Sequence, residues 1–234
     1  MSLVVEIGAA KVAKYATSES GDTLELIERP HGGISAVLVD GQRSGPAAKV
    51  LSNLAARKAI SLLGEGVRDG AVARATHDYL STHRQGRVSA EMVLVSIDLA
   101  SRTLVVSRNT RCAAYLSCQG ALRLLDEPCQ PIGVHTHTKP VVVEVPLSAD
   151  MTVVACTDGL PSAGEPSQPL AVPELIMAHP LEGSAQELAD GLLQHALEAE
   201  NGRPRDDISV LVVTVRSDPS DSRIRRLSAS FPVR

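Results

Sequence analysis

The chain has 234 residues, 44% hydrophobic and 21% charged, enough to bury the core of one large globular domain. Its net charge of -4 is small and its Lys and Arg are scattered, which favours neither nucleic acid nor a membrane surface. Aromatic residues amount to 2%, with no Trp and one Phe, which argues against base-stacking platforms and aromatic cages.

In chain order, the N-terminal segment reads as four strands, 3–7, 11–16, 24–28 and 34–39, divided by Gly, Ser and Pro. The period then changes. Ala47, Val50, Leu51, Leu54, Ala55 and Leu62 predict an amphipathic helix over 46–63, with Pro46 suited to its first turn and Gly64 to its exit. A second helix is expected over 69–83. Strands recur at 92–99, 103–107, 112–117 and 121–125, read as one antiparallel meander. Pro128, Pro131 and Gly133 interrupt it before two more strands at 141–145 and 151–156. Segment 159–184 is rich in Pro and Ser and reads as a surface insertion with a short helix at 173–177. Ser184 opens a further helix, with Glu187 as capping-box partner and Leu188, Ala189, Leu192 and Ala196 on one face. A polar loop, 200–205, leads to the last strand, 208–215.

Strands arriving in blocks cannot build an alternating parallel sheet. The order predicts an α+β fold: an α-β-β-α sandwich of two antiparallel sheets with helices on the outer faces. It spans residues 1–216, followed by a C-terminal tail, 217–234, of flexible composition. Cys112, Cys118, Cys129 and Cys156 are irregularly spaced, and the N-terminus lacks the charged start and apolar stretch of a signal peptide. Four reduced thiols in a cytoplasmic protein are expected. No apolar run approaches the ~20 residues that span a bilayer.

Four aspartates, Asp22, Asp40, Asp158 and Asp206, each stand at the edge of a strand-like run, and the first three touch a glycine. Carboxylates converging from strand ends are what a hard divalent cation needs, and glycine allows a close backbone approach. Taken singly, Asp-Gly and Asp-Asp are also ordinary turn sequences.

The full set, in order, resembles the metal-dependent protein Ser/Thr phosphatases of the protein phosphatase 2C type, in their bacterial SpoIIE-like branch. The matching pieces are Gly21-Asp22-Thr23, VLVDGQRSGPAAKVLSN (38–53), SAEMVLVSIDLASRTLVVSRNTRCAAYL (89–116), QPIGV (130–134), CTDGL (156–160) and RDDISVLVVTV (205–215). Within the branch, the segment from Asp40 to Lys49 and Asn109-Thr110-Arg111 look most like the compact RsbX-type stress-signalling phosphatases.

The resemblance implies two Mn2+ or Mg2+ ions. Asp40 would bridge them, the Gly41 carbonyl and Asp22 would serve one, and Asp158 and Asp206 the other. Asp207 would support the ligands from behind, and Asp40 and Asp158 would act on phosphate through a metal-activated water. The absence of a Cys-x5-Arg loop agrees with hydrolysis without a phospho-enzyme. Gln42 stands where many eukaryotic relatives carry a histidine, so water is expected to protonate the leaving alcohol. Arg43 replaces a residue that is small in many relatives, and is either a phosphate clamp or a solvent-facing arginine. The implied substrate is a phosphorylated regulatory protein of the STAS-domain type, an anti-sigma-factor antagonist or stressosome component, with the enzyme a monomer or weak dimer. Two alternatives stay open: a phosphoprotein-binding pseudophosphatase, and a metal-dependent hydrolase of small phosphate esters.

Overall fold

The computed structural model describes residues 2–165, 168–180, 183–220 and 224–232. Its elements in chain order are β1 (Ser2–Val12), β2 (Thr23–Glu28), β3 (Gly33–Gly41), α1 (Pro46–Gly64), α2 (Asp69–Arg84), β4 (Ala90–Asp98), β5 (Thr103–Asn109), β6 (Ala114–Cys118), β7 (Ala121–Leu125), β8 (Val141–Pro146), β9 (Met151–Cys156), α3 (Val172–Ala178), α4 (Ala185–Ala199) and β10 (Ile208–Asp218). They form two antiparallel five-stranded sheets, ordered β1-β10-β9-β6-β7 and β2-β3-β4-β5-β8. The expected α-β-β-α sandwich is the observed architecture.

Strand β3 shows why the sheets take this arrangement. Successive side chains point to opposite faces. Ala36 and Leu38 face inward to the core between the sheets, where they meet Val153 and Leu211 of the first sheet. Val37 and Val39 face outward beneath Leu51, Ala55 and Leu63 of α1. The stretch 36–39, covered on both sides, is therefore apolar without interruption. On the opposite outer face, Val154, Val210 and Val212 lie under Leu188, Ala189 and Leu192 of α4. That helix starts as its sequence implies: the Ser184 hydroxyl accepts from the Glu187 N–H at 3.1 Å, and the Glu187 carboxylate accepts from the Ser184 N–H at 2.7 Å.

Three expectations are corrected. Residues 3–16 do not form two strands; β1 is one strand paired with β10 from Ser2↔Asp218 to Val12↔Ile208. Gly8 is a packing contact within it rather than a break, because a Cβ there would lie 2.3 Å from the Ala185 backbone. The single meander is split, since β4 and β5 belong to one sheet while β6 and β7 pair in the other. The crossing occupies the residues before Ala114, where the sequence reading had already started a strand. Segment 159–184 is more than a surface insertion: Leu160, Ala163, Val172 and Ile176 are buried under the α4 layer. Residues 166–167 and 181–182 of that segment lie outside the described residues.

One buried ion pair ties α2 to the second sheet. Arg29 Nη1 lies 2.8 Å from Asp69 Oδ2, with the two side chains 5% and 6% exposed. The other Asp69 oxygen accepts from Ser96 on β4. Removing one partner of such a pair strands the other charge in a dry environment. Asp69→Ala should therefore lower the unfolding free energy by about 3–5 kcal/mol in urea denaturation. A loss under about 1 kcal/mol would mean that water already compensates Arg29.

Candidate active site

The predicted acids emerge at one end of the sandwich, from both sheets. Asp40 is the penultimate residue of β3, and Asp22 directly precedes β2. Asp158 follows β9, and Asp206 and Asp207 precede β10. They differ in depth: Asp22 is fully buried, Asp40 half-buried, and Asp158 and Asp206 exposed. Gly41 lets α1 approach this end, since a Cβ there would lie 2.2 Å from the Ala48 carbonyl oxygen.

Asp22 Oδ2 accepts from the Ser209 hydroxyl at 2.6 Å and the Thr157 hydroxyl at 3.1 Å, both from the other sheet. Its Oδ1 is buried and has no hydrogen-bond partner among the described residues. Its backbone carbonyl accepts from two ammonium groups, Lys11 at 2.9 Å and Lys49 at 2.6 Å. Burial holds the Lys49 ammonium below its usual range. Asp207 carries the loop itself, accepting from the Lys14 N–H and the Gly21 N–H, each at 2.8 Å.

The carboxylates press on one another. Burial pushes Asp40 up to about 9, reinforced by the charges of Asp22, Asp158, Glu91 and Asp206. Burial raises Asp22 to about 6, opposed by the Ser209 hydrogen bond. Asp158 reaches solvent, yet the protein packed around its carboxyl still raises it, and the charges of Asp206 and Glu91 add to that. Glu91, Thr157, Ser209 and Lys49 lie within the matching segments and Lys11 at the start of an expected strand, but nothing local in the sequence gives any of them a role. The Asp40↔Glu91 pairing becomes visible only once β3 and β4 are set side by side.

Arg43 is exposed, with left-handed backbone at φ 71, and its guanidinium makes no hydrogen bond or ion pair among the described residues. Arg205 is engaged elsewhere, 2.7 Å from Glu200. A cleft of about 200 Å³ opens beside Asp206, walled by Gly159, Glu165, Glu200 and Arg205.

Among the described residues no group of three His, Cys, Asp or Glu side chains is placed to hold a metal ion as it stands. The donor chemistry nevertheless fits a hard divalent cation: the acids are all oxygen ligands, and one buried Asp22 oxygen has no partner. Drawing the carboxylates round an ion requires side-chain rotation, for which the exposed Asp158 and Asp206 have room.

The Asp40 shift has a definite sign in stability. Its native carboxyl holds a proton that the unfolded chain releases above its ordinary value of 3.8. In chelator, the contribution of this one carboxyl to stability should therefore be complete below about pH 4 and be lost as pH rises towards about 9. Asp40→Asn should flatten that decline and raise the melting temperature at pH 8, read by thermal unfolding at several pH values. An unchanged slope would remove Asp40 from the repelling cluster.

Residues 30–216 match the family described as Stage II sporulation protein E (SpoIIE). Stage II sporulation protein E of Bacillus subtilis (strain 168) is 23% identical over 215 residues, covering 90% of this chain and 26% of that protein. The chain thus spans about a quarter of the length of the curated relative it matches. The solved PP2C phosphatase domain with a fragment of the regulatory domain of SpoIIE from Bacillus subtilis aligns with a TM-score of 0.81 at 21% identity, over 93% of this chain and 65% of that one. The serine/threonine phosphatase PstP/Ppp of Mycobacterium tuberculosis aligns with a TM-score of 0.70 at 15% identity, over 91% and 99%. These two structural likenesses concern the fold. With the family match running from the end of β2 to within β10, the chain belongs to the SpoIIE family and has the fold of its PP2C-type domain.

Proposed function

We propose that the chain is a metal-dependent protein serine/threonine phosphatase of the cytoplasm. Its substrate would be a phosphorylated regulatory protein of the STAS-domain type, an anti-sigma-factor antagonist or stressosome component. The observation that carries this reading is the convergence on Asp40, whose carboxyl feels four other acids drawn from both sheets. Such a concentration of negative charge is costly to a fold and is repaid when cations bind.

Asp40, the Gly41 carbonyl and Asp22 would hold one Mn2+ or Mg2+ ion, and Asp40 with Asp158 and Asp206 a second. Bound there, the cations supply an activated water and neutralise charge on the phosphoryl oxygens. The chain's own residues do the rest. Ser209, Thr157 and Asp207 fix Asp22 and its loop. Arg43, unengaged and exposed, is free to fold over a phosphate. Gln42 cannot donate a proton to the leaving alcohol, so solvent does. The cleft beside Asp206 gives the polypeptide flanking the phosphoresidue a place to lie.

Purified protein should hydrolyse p-nitrophenyl phosphate and a phosphoserine peptide when Mn2+ is supplied, and stop in chelator. Asp40→Asn and Asp158→Asn should each lower turnover by more than about 100-fold, beyond the loss seen when only the support of a metal ligand is removed. Phosphopeptide binding without metal-stimulated turnover would favour the pseudophosphatase instead. Near-normal turnover in either variant would refute the site.

A further inference from the structure

A carboxylate that the resemblance gives no role stands beside Asp40. β3 and β4 pair so that Asp40 lies opposite Glu91. Opposed residues of an antiparallel pair share one face, with Cβ atoms about 4.5–5.5 Å apart, and like charges so placed destabilise the sheet.

Glu91 is also braced. Its Oε2 accepts from the Thr110 hydroxyl and from the Arg111 N–H at 3.1 Å. Its Oε1 takes no hydrogen bond among the described residues. The Thr110 hydroxyl in turn accepts from the Cys112 N–H at 2.9 Å. Behind this crossing, the buried Arg108 guanidinium donates to the carbonyls of Thr110 at 3.3 Å and Cys112 at 3.1 Å. Asn109 Nδ2 donates to the Gln130 carbonyl at 3.0 Å. The segment that switches the chain between sheets is thus rigid, and it grips one oxygen of Glu91 while sparing the other.

Two further observations point to a cation. Glu91, paired with Asp40 in one sheet, is also near enough to raise the carboxyl of Asp158, which follows a strand of the other, so it is close to acids from both sheets. Asp22 adds its own unpartnered oxygen, on a side chain with no solvent exposure. Resting on the phosphatase reading above, we propose that Glu91 is a further cation-binding carboxylate of this site. The Thr110 hydroxyl and the Arg111 amide hold it so that its free oxygen can complete the coordination of a hard divalent ion beside Asp40. Thr110 is then a positioning residue.

The test is calorimetric titration of the full chain with MnCl2, with Asp40→Asn as the reference for loss of the site. Glu91→Gln, nearly isosteric, should weaken Mn2+ binding by about 10-fold or remove one binding event. Thr110→Val, which releases the grip but keeps the carboxylate, should also weaken binding, by a smaller factor than Glu91→Gln. Thermal unfolding in chelator checks that each variant folds. Unchanged affinity and stoichiometry in Glu91→Gln, beside a wild type that binds Mn2+, would overturn the assignment and leave the phosphatase reading intact. Glu91-dependent Mn2+ binding without phosphopeptide hydrolysis would sink the phosphatase reading and leave Glu91 a ligand. A wild type that binds no Mn2+ would overturn both.

Discussion

Much of this structure depends on how one carboxylate is held. Apolar packing between two sheets is strong but non-directional, and by itself tolerates sliding of one face over the other. The hydrogen bonds from Ser209 and Thr157 to Asp22 remove that freedom at one end, because Asp22 leads into β2 while its donors lie on and beside strands of the other sheet. Bonds to an ionised acceptor are among the stronger ones, and leaving buried hydroxyls unpaired has its own cost. The end of the sandwich where the acids emerge is therefore pinned by polar contacts, and the rest of the interface is filled by aliphatic side chains.

Pinning the sheets there brings acids together that would otherwise repel. Asp207 anchors the loop before Asp22 through backbone amides, and two lysines converge on the Asp22 carbonyl from β1 and α1. These cations lie behind the cluster and temper its charge without bonding to the carboxylate oxygens. Asp40 has no such partner among the described residues, and burial, with the charges of Asp22, Asp158, Glu91 and Asp206, pushes its carboxyl up to about 9. Local interactions that oppose stability are expected where a fold has been given over to function, with packing elsewhere compensating.

The sandwich and its helices were legible because their signals are local. Pro46 in a first turn, the Ser184 and Glu187 capping box and the unbroken apolar run in β3 each announce their element within a few residues. What the sequence hid depends on distant partners. Gly8 looks like a break until Ala185 is laid against it. The switch between β5 and β6 looks like one more hairpin, since a polar turn has the same composition whether the chain returns to its own sheet or crosses to the other. The motif aspartates were legible as a group, whereas Glu91 was not. A single acid at the start of an apolar strand is commonplace, and only the register with Asp40 makes it unusual.

The gradient of exposure across the acids bears on how such a site can work. Asp22 is buried and fixed by side-chain and backbone contacts, whereas Asp158, where a loop begins, and Asp206, where a loop ends, are open to solvent. The bonded Asp22 offers an oxygen at a fixed place, and the exposed Asp158 and Asp206 have room to rotate without moving the sheets. Position is thereby set by hydrogen bonds to the neighbouring sheet, and adaptability is left to exposed side chains. The cleft of about 200 Å³ opens on the exposed side, next to Asp206. A polypeptide lying in it would therefore meet the exposed acid at its wall and not the buried Asp22, whose hydrogen bonds it would leave intact.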